Sequence, residues 1–271
     1  MAVVNLNKLK DEEININDVA EKLIKLEEKF VGRLGILSPK SFRCKSGKDK
    51  NVEYIYNPLE YAANLHNQYV RKYCNSFKKV MFLGMNPGPF GMVQTGVPFG
   101  EIAAVRDYLK ISGEVGKPKK FHYKRPVEGL NCKRSEVSGN RLWGLIKNLS
   151  KNDPFIFFKH CFVYNYCPLA LLSPTGLNIT PADLKEDDQK TLNSICDEFL
   201  YETLKLFGVE TVVAIGKFAE KRVFQVLKNY SLKNIKVVTI QHPSPRNKGS
   251  NNWHENTTKV LKEHNLISFL E

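Results

Sequence analysis

The chain has 271 residues, with 41 Lys or Arg against 28 Asp or Glu, which gives a formal charge of +13 at neutral pH. That length suits one large α/β domain or two small ones, of which we expect the first; no stretch is apolar enough for a transmembrane helix, and the amino terminus lacks the charged-then-apolar order of a signal peptide. The six cysteines are scattered without a CxxC pair, so we expect reduced thiols, no metal or other cofactor, and no membrane partner.

The first quarter of the chain predicts two helices. Apolar residues recur with a helical period over 18–30, which favours an amphipathic helix, and a polar, lysine-rich loop follows over 38–51. Asn57 and Pro58 are typical of a helix start, with Asn57 as the cap, and that helix is expected to run to about Tyr73.

A strand and a stiff loop follow. Residues 79–84 are a short apolar run that ends at Gly84, as a buried parallel strand does. From Gly84 to Gly100 there are 17 residues with five glycines, three prolines and no charge, so an irregular, rigid loop is expected there. Open α/β sheets bind ligands at this edge. A purely structural turn is the alternative for any short Gly/Pro-rich motif, but the length of this uncharged stretch favours a binding loop.

The remaining elements alternate between strand and helix. After the loop, 101–109 is predicted to begin a helix, and 112–139 is a long basic excursion of the kind that is functional or disordered in compact domains. The rest predicts a helix over 140–149, a strand over 155–172, a capped helix from Thr180 to Gly208, a strand over 209–215, a helix over 217–227, a strand over 235–240 and a helix from about Trp253. Four strand, loop and helix units indicate a parallel sheet with helices on both faces.

The positive charge is concentrated in two segments. Residues 111–151 hold ten basic and three acidic side chains, and residues 215–250 hold eight and one. A solvated basic surface is the alternative explanation. Because both segments flank the expected binding edge, we favour a polyanion as the partner.

Three polar residues are predicted to meet at that edge. Asn86 and His242 follow predicted strands, and Asn165 lies in the middle to late part of the predicted strand over 155–172. The carboxyl ends of parallel strands share one edge of the sheet, so the three can converge. Taken alone, each is more often a structural residue. Their shared position favours a common site.

The motifs at these strand ends resemble a known family. The stretches GMNPGPFGMVQTGVPFGE over 84–101, NYCPL over 165–169 and HPSPRN over 242–247 resemble those of the single-strand-selective monofunctional uracil-DNA glycosylases, a group within the uracil-DNA glycosylase superfamily. The resemblance implies a three-layer α/β/α sandwich with a central four-stranded parallel sheet, in one catalytic domain over 51–271. Residues 1–50 have no counterpart in it and receive no role.

The resemblance also implies roles for single residues. Asn86 would position the attacking water and His242 would stabilise the departing base. Phe99 would stack on a flipped base, and the Asn165 carboxamide would read the O4 and N3–H edge of uracil. The other implied contacts are Met85 and Gly88 at the wall near the sugar and the 5-position, and Ser244, Pro245, Arg246, Asn247 and Lys248 in the wedge that contacts DNA. The wedge is shorter here than in the family and lacks one proline, which leaves its depth in the duplex open.

The implied activity is hydrolysis of uracil, and of oxidised uracils such as 5-hydroxymethyluracil, from single- and double-stranded DNA by base flipping and water attack. Neither motif places a lysine as nucleophile, so no Schiff base and no strand cleavage are expected. We further expect a monomeric nuclear protein. The alternatives are a non-catalytic protein that binds damaged bases, and a nucleotide enzyme with a phosphate-binding loop, although the GxxxxGK[ST] spacing is missing.

Overall fold

The computed structural model describes residues 17–45, 51–245 and 250–271. Its α-helices in those ranges are α1 (Asn17–Leu34), α2 (Pro58–Tyr61), α3 (Ala63–Tyr73), α4 (Met92–Thr95), α5 (Val137–Leu149), α6 (Pro154–Phe158), α7 (Glu186–Phe207), α8 (Lys217–Asn229) and α9 (Trp253–Glu263). Its strands are β1 (Tyr54–Tyr56), β2 (Val80–Gly84), β3 (Cys161–Asn165), β4 (Ala170–Leu172), β5 (Asn178–Ile179), β6 (Thr211–Ile215) and β7 (Lys236–Ile240).

The centre of the fold is the predicted four-stranded parallel sheet, in the order β3-β2-β6-β7. Strands β2, β3 and β6 are buried along their whole length, which explains why their sequences are continuous apolar runs. In this register Gly84 pairs with Asn165, so the loop after β2 and the end of β3 are neighbours. With helices on both sides, the chain forms the expected α/β/α sandwich.

The apolar run over 155–172 was predicted as one strand, and this is wrong. Asp153 caps α6 by accepting the Phe155 N–H at 2.9 Å, and Pro154 occupies the first helical position, so the run starts as a helix. Strand β3 then follows, and the run ends in β4, which belongs to a different sheet. A short buried helix and a buried strand have the same apolar pattern, and only the capping residues separate them.

That second sheet was not predicted. It is antiparallel with the order β1-β4-β5, and its strands have two or three residues each. Tyr54 pairs with Leu172, and Leu171 pairs with Ile179. Strands this short carry too few residues for a periodic signal.

Other local predictions need smaller corrections. Asn57 precedes α2, but its side chain makes no capping hydrogen bond, and the expected single helix to Tyr73 is interrupted at Ala62. The predicted helix over 101–109 contains a π-helical turn, Ala104–Tyr108. Thr180 caps a 3-10 turn rather than α7 itself, and α7 ends as predicted at Gly208, which has φ 65°.

The amino-terminal helix α1, to which the sequence assigned no role, packs into the main core. Val19, Leu23 and Phe30 are buried, and the Phe30 ring stacks on Phe199 of α7 with 4.1 Å between centroids. Among the helices of the described ranges, none combines the length and low charge of a bilayer-spanning segment. The same ranges contain no group of three metal-ligating side chains that could hold an ion.

Candidate active site

A cavity of about 850 Å³ opens at the sheet edge where β2, β3 and β7 end. Its lining includes eight of the residues that the sequence singled out: Met85, Asn86, Gly88, Phe99, Asn165, His242, Ser244 and Pro245. The parallel sheet brings these distant stretches together because its strands share one carboxyl edge. The other three, Arg246, Asn247 and Lys248, lie outside the described residues.

Gly84 is the point at which two of these side chains meet. A β-carbon at this position would collide with Asn165 Oδ1 and with the Phe99 ring. The missing side chain therefore lets a carboxamide and an aromatic face lie side by side at the end of β2. Phe99 itself adopts φ 55°, a backbone conformation that is uncommon for an aromatic residue and is concentrated at functional sites.

Asn165 is buried with one polar atom unsatisfied. Its Nδ2 donates to Met92 Sδ at 3.2 Å, whereas its Oδ1 has no hydrogen-bond partner among the described residues. Leaving a buried carbonyl oxygen unpaired costs about 1–3 kcal/mol. A buried, unpaired acceptor in a native fold needs an explanation, and a ligand that brings a donor group would supply one.

The strand end that carries Asn165 is held from the opposite face. Side chains alternate along a strand, so the two flanking residues, Tyr164 and Tyr166, point away from Asn165. The Tyr164 hydroxyl bonds to Glu27 of α1, and the Tyr166 hydroxyl donates to Asp197 of α7 at 2.7 Å. Two buried carboxylates thus fix the backbone on either side of the carboxamide.

His242 follows β7 and is present as a neutral ring with a defined tautomer. The Ser244 backbone N–H donates to His242 Nδ1 at 3.1 Å, so Nδ1 is an acceptor and the ring proton resides on Nε2. Burial lowers the pKa of His242, which keeps the ring neutral near pH 7. Its ring centroid lies 6.2 Å from that of Phe99. The cavity therefore contains a preset N–H donor beside an aromatic face.

Asn86 lies at the mouth of the loop and is half-buried. Within the part of the chain that the structure describes, its Nδ2 makes one long contact of 3.4 Å with the carbonyl oxygen of Pro87, so most of its hydrogen-bonding capacity remains for a ligand or water. A carboxamide does not titrate near neutral pH, so it can orient water but cannot act as a strong base.

The loop after β2 is more ordered than predicted. It contains the single helical turn α4, which ends at Gly96 with φ 72°. Gln94 is fully engaged: its Nε2 donates to the carbonyl oxygens of Pro89 and Pro126, and its Oε1 accepts the Glu128 N–H at 2.8 Å. These bonds attach the site loop to the basic excursion.

Glu136 is a cavity residue that the sequence reasoning missed. Its carboxylate accepts the Phe90 N–H at 3.3 Å, and a β-carbon on Gly88 would collide with it. Burial raises the pKa of Glu136, although the N–H groups of Phe90 and Ser138 oppose that shift. The sequence signal that could have identified Glu136 is a single acidic residue just before a predicted helix, within a basic segment.

Helix α1 reaches the site through a buried ion pair. His66 Nδ1 faces the carbonyl oxygen of Gly96 at 2.8 Å, and Nε2 faces Glu27 Oε1 at 2.9 Å. Both partners are acceptors, so both ring nitrogens donate and the ring is cationic. Burial alone would lower the pKa of His66, but Glu27 and the carbonyl oxygen of Gly96 outweigh it, so the pKa is raised. The site loop is thereby tied to α1.

The site suits a planar heterocycle that leaves as an anion. Phe99 offers a stacking face, Asn165 an edge with donor and acceptor, and His242 a fixed donor where negative charge could develop. Comparison with known families agrees with this chemistry: the model of the uracil DNA glycosylase superfamily matches residues 71–263. The chain belongs to the uracil-DNA glycosylase superfamily, a class of DNA-repair hydrolases that act on N-glycosidic bonds.

Individual relatives show which group within the superfamily the chain is similar to. The chain is 48% identical over 220 residues to the single-strand selective monofunctional uracil DNA glycosylase of Bos taurus, covering 81% of this chain and 80% of that protein. The Mus musculus protein of the same name is 47% identical over 81% of this chain and 78% of its own length. The crystal structure of Pedobacter heparinus SMUG2 is similar in fold, with a TM-score of 0.61 at 18% identity, covering 91% of this chain and 98% of that one.

Proposed function

We propose that this protein hydrolyses the glycosidic bond of uracil, and of uracils oxidised at the 5-position, in single- and double-stranded DNA without cleaving the strand. The observation that carries the proposal is the buried, unpaired Oδ1 of Asn165. Uracil presents an N3–H donor beside an O4 acceptor. A carboxamide matches both groups, because its unpaired oxygen can accept the N3–H and its NH₂ group can donate to O4. Cytosine offers the opposite pattern.

The target nucleotide must leave the stack before it can enter the cavity, which costs a few kcal/mol. Stacking of the flipped base on Phe99 would return about 1–3 kcal/mol of this cost. Ser244 and Pro245 line the same mouth, and with the wedge residues that follow them they would occupy the gap left in the duplex.

Bond cleavage would leave an anionic base and an electron-poor sugar. The Nε2–H of His242 would donate to uracil O2 as charge grows there, an interaction worth about 2.7–4 kcal/mol by analogy with an oxyanion-hole donor. Asn86 would orient the water that attacks the sugar carbon. Strand cleavage through a Schiff base needs an amine, and the described residues that line the cavity include no lysine.

Acceptance of 5-substituted uracils is supported by a carboxylate at the wall to which the resemblance assigns the 5-position of the base. Met85 and Gly88 line this side of the cavity, next to the Glu136 carboxylate. A hydroxymethyl group could find a polar partner there, whereas the methyl group of thymine could not. The name of the Bos taurus relative describes that protein as single-strand selective. For this chain we propose activity on both single- and double-stranded DNA.

The test is base release from a panel of labelled oligonucleotides. Each strand carries one uracil, 5-hydroxymethyluracil, thymine or cytosine, as a single strand and as a duplex, under single turnover. We expect release of the first two bases only, with strand breaks appearing after alkali and not before it. A protein that binds these strands without releasing a base would instead be the non-catalytic binding module, which the presence of both Asn86 and His242 disfavours.

Two further properties are part of the proposal. We infer a nuclear location from the DNA substrate and the positive charge, which a fluorescent fusion in cells would test. We also infer a monomer, which light scattering of the purified protein would test.

A further inference from the structure

Beside the cavity lies a surface that the proposed chemistry does not use. Residues 117–125, with the sequence KPKKFHYKR, place aromatic rings among basic side chains; we refer to them as the aromatic–basic turn. Phe121 is 51% exposed and Tyr123 is 76% exposed. Single exposed aromatic side chains are common on protein surfaces, so a binding role for these two rings depends on the cations around them and on their position beside the cavity.

The turn is rigid, although it is exposed. One hydroxyl group, that of Tyr56, accepts the His122 N–H at 2.7 Å and donates to the carbonyl oxygen of Arg125 at 2.9 Å. The Arg125 N–H also bonds to the His122 carbonyl oxygen at 2.8 Å, and His122 Nε2 contacts the carbonyl oxygen of Pro174 at 2.8 Å. The anchored His122 ring in turn stacks on Tyr123, with 4.8 Å between centroids and 18° between planes. The His122 ring therefore covers one face of Tyr123 and leaves the other face to solvent.

The turn leads directly into the cavity. Arg125 and Arg134 both line its mouth, and their guanidinium carbons lie 5.3 and 3.9 Å from the centroid of the Phe90 ring. Within the described ranges neither arginine forms an ion pair, whereas Lys119 and Lys120 have carboxylate partners. Two adjacent guanidinium groups that form no ion pair with the described residues are a suitable place for phosphate groups.

We propose that the aromatic–basic turn, with Arg125 and Arg134, binds unpaired nucleotides of the DNA strand that carries the target base. Bases adjacent to the target would stack on Tyr123 and Phe121, and the backbone phosphates would contact Lys124 and the two arginines. The inference rests on the proposed function, since it takes the strand in the cavity to be DNA.

An unpaired strand fits this surface better than a duplex or a protein. Exposed rings among cations are how proteins hold single strands without regard to sequence, because every base has a stacking face. In a duplex those faces are covered by neighbouring base pairs. An acidic protein partner would use the cations but would have no specific need for the outer face of Tyr123.

The test separates binding from catalysis by using oligothymidylate, which contains no uracil. Its affinity for the full chain is measured by fluorescence anisotropy, for wild type and for Tyr123→Ala, Phe121→Ala, Tyr123→Trp and Lys124→Ala. The matched control is Phe224→Ala on α8, since this ring is 54% exposed and lines no part of the cavity. Uracil release at saturating enzyme is recorded for each variant.

We expect Tyr123→Ala to weaken oligothymidylate binding about five-fold or more, Phe121→Ala to act in the same direction, and Tyr123→Trp and Phe224→Ala to match wild type. The same strand in a duplex should lose much less affinity. Lys124→Ala should reduce the slope of log affinity against log salt by about one. Saturated release rates should stay near wild type throughout.

Two results would overturn the proposal. One is unchanged oligothymidylate affinity in both Tyr123→Ala and Phe121→Ala; the other is an equal loss for single strand and duplex. In both cases the enzyme would still release uracil, so the failure would concern strand binding and not the proposed function. If the wild-type protein released no uracil, the proposed function would fail on its own, whatever the oligothymidylate binding.

Discussion

At the scale of single residues, Gly84 controls whether the site can form. In Gly84→Ala the new methyl group would collide with Asn165 Oδ1 and the Phe99 ring, so we expect a large loss of uracil release under single turnover. Gly32→Ala on α1 is the control, because nothing lies within 4 Å of a β-carbon there and a helical alanine stabilises by about 0.5–1 kcal/mol. Near wild-type release by Gly84→Ala would mean that Asn165 and Phe99 need not lie side by side.

Asn86 and His242 are predicted to serve the chemical step rather than DNA binding. Removing the His242 donor should lower the single-turnover rate about 10²–10³-fold, and Asn86→Ala should also remove most base release. Affinity for uracil DNA should change little, since neither side chain is a cation that would contact phosphate. His264→Ala, which changes a histidine outside the cavity lining, controls for general effects of histidine loss. A rate equal to wild type in either variant would refute the role given to that residue.

Asn165 is predicted to select the base. In Asn165→Asp the ionised side chain presents only acceptors, so it should repel uracil O4 and lose most uracil release. Burial raises the pKa of a carboxyl group, so a protonated fraction could bond cytosine and give weak cytosine release that improves as pH falls. Uracil release within a few-fold of wild type at neutral pH would show that another group reads the base.

At the scale of elements, α1 contributes buried polar contacts as well as hydrophobic surface. Its Glu27 pairs with His66 and with Tyr164, and these two residues hold the site loop and the end of β3. Both groups of the ion pair are almost fully buried, and removing one partner of such a pair costs about 3–5 kcal/mol. The stability of the helix and the shape of the site are therefore linked.

This link has a defined pH dependence. Because the pKa of His66 is raised in the folded state, the ion pair stabilises fully below the ordinary histidine pKa of about 6.5 and loses this effect as pH rises through the raised value. Urea unfolding of wild type and Glu27→Gln should therefore differ most at mildly acidic pH, where the His66 ring is charged, and differ less at alkaline pH. Glu21→Gln breaks an exposed pair with Arg71 and should change the stability little at any pH. A difference that does not vary with pH would exclude the ion pair as its cause.

At the scale of the whole molecule, charge should dominate affinity for DNA. Two of the basic residues of 111–151, Arg125 and Arg134, line the cavity mouth, and the formal charge of the chain is +13. Phosphate contacts release counterions, so log affinity should fall linearly and steeply with log salt. The measurement is a titration of uracil-free duplex from low to moderate salt. A flat titration would place these cations away from DNA.

The parallel sheet and most of the site could be predicted from the sequence because their signals are local. Buried strands such as β2 and β6 are continuous apolar runs, and Gly/Pro-rich stretches mark where they end. The shared carboxyl edge then follows from topology alone, and it placed Asn86, Asn165 and His242 at one cavity. The prediction of one strand over 155–172 missed the boundary between α6 and β3, because an apolar run looks the same in a buried helix and in a buried strand.

Only the tertiary structure decided which polar atoms meet. The tautomer of His242 depends on an N–H two residues away that folds back onto it, and the unpaired Oδ1 of Asn165 depends on what lies around a buried group. Glu136 reaches the Gly88 wall from another segment, and Glu27 reaches His66 across 39 positions of the chain. Hydrogen bonds and burial act over a few ångströms in space, whatever the separation along the chain, and sequence periodicity carries no record of such contacts.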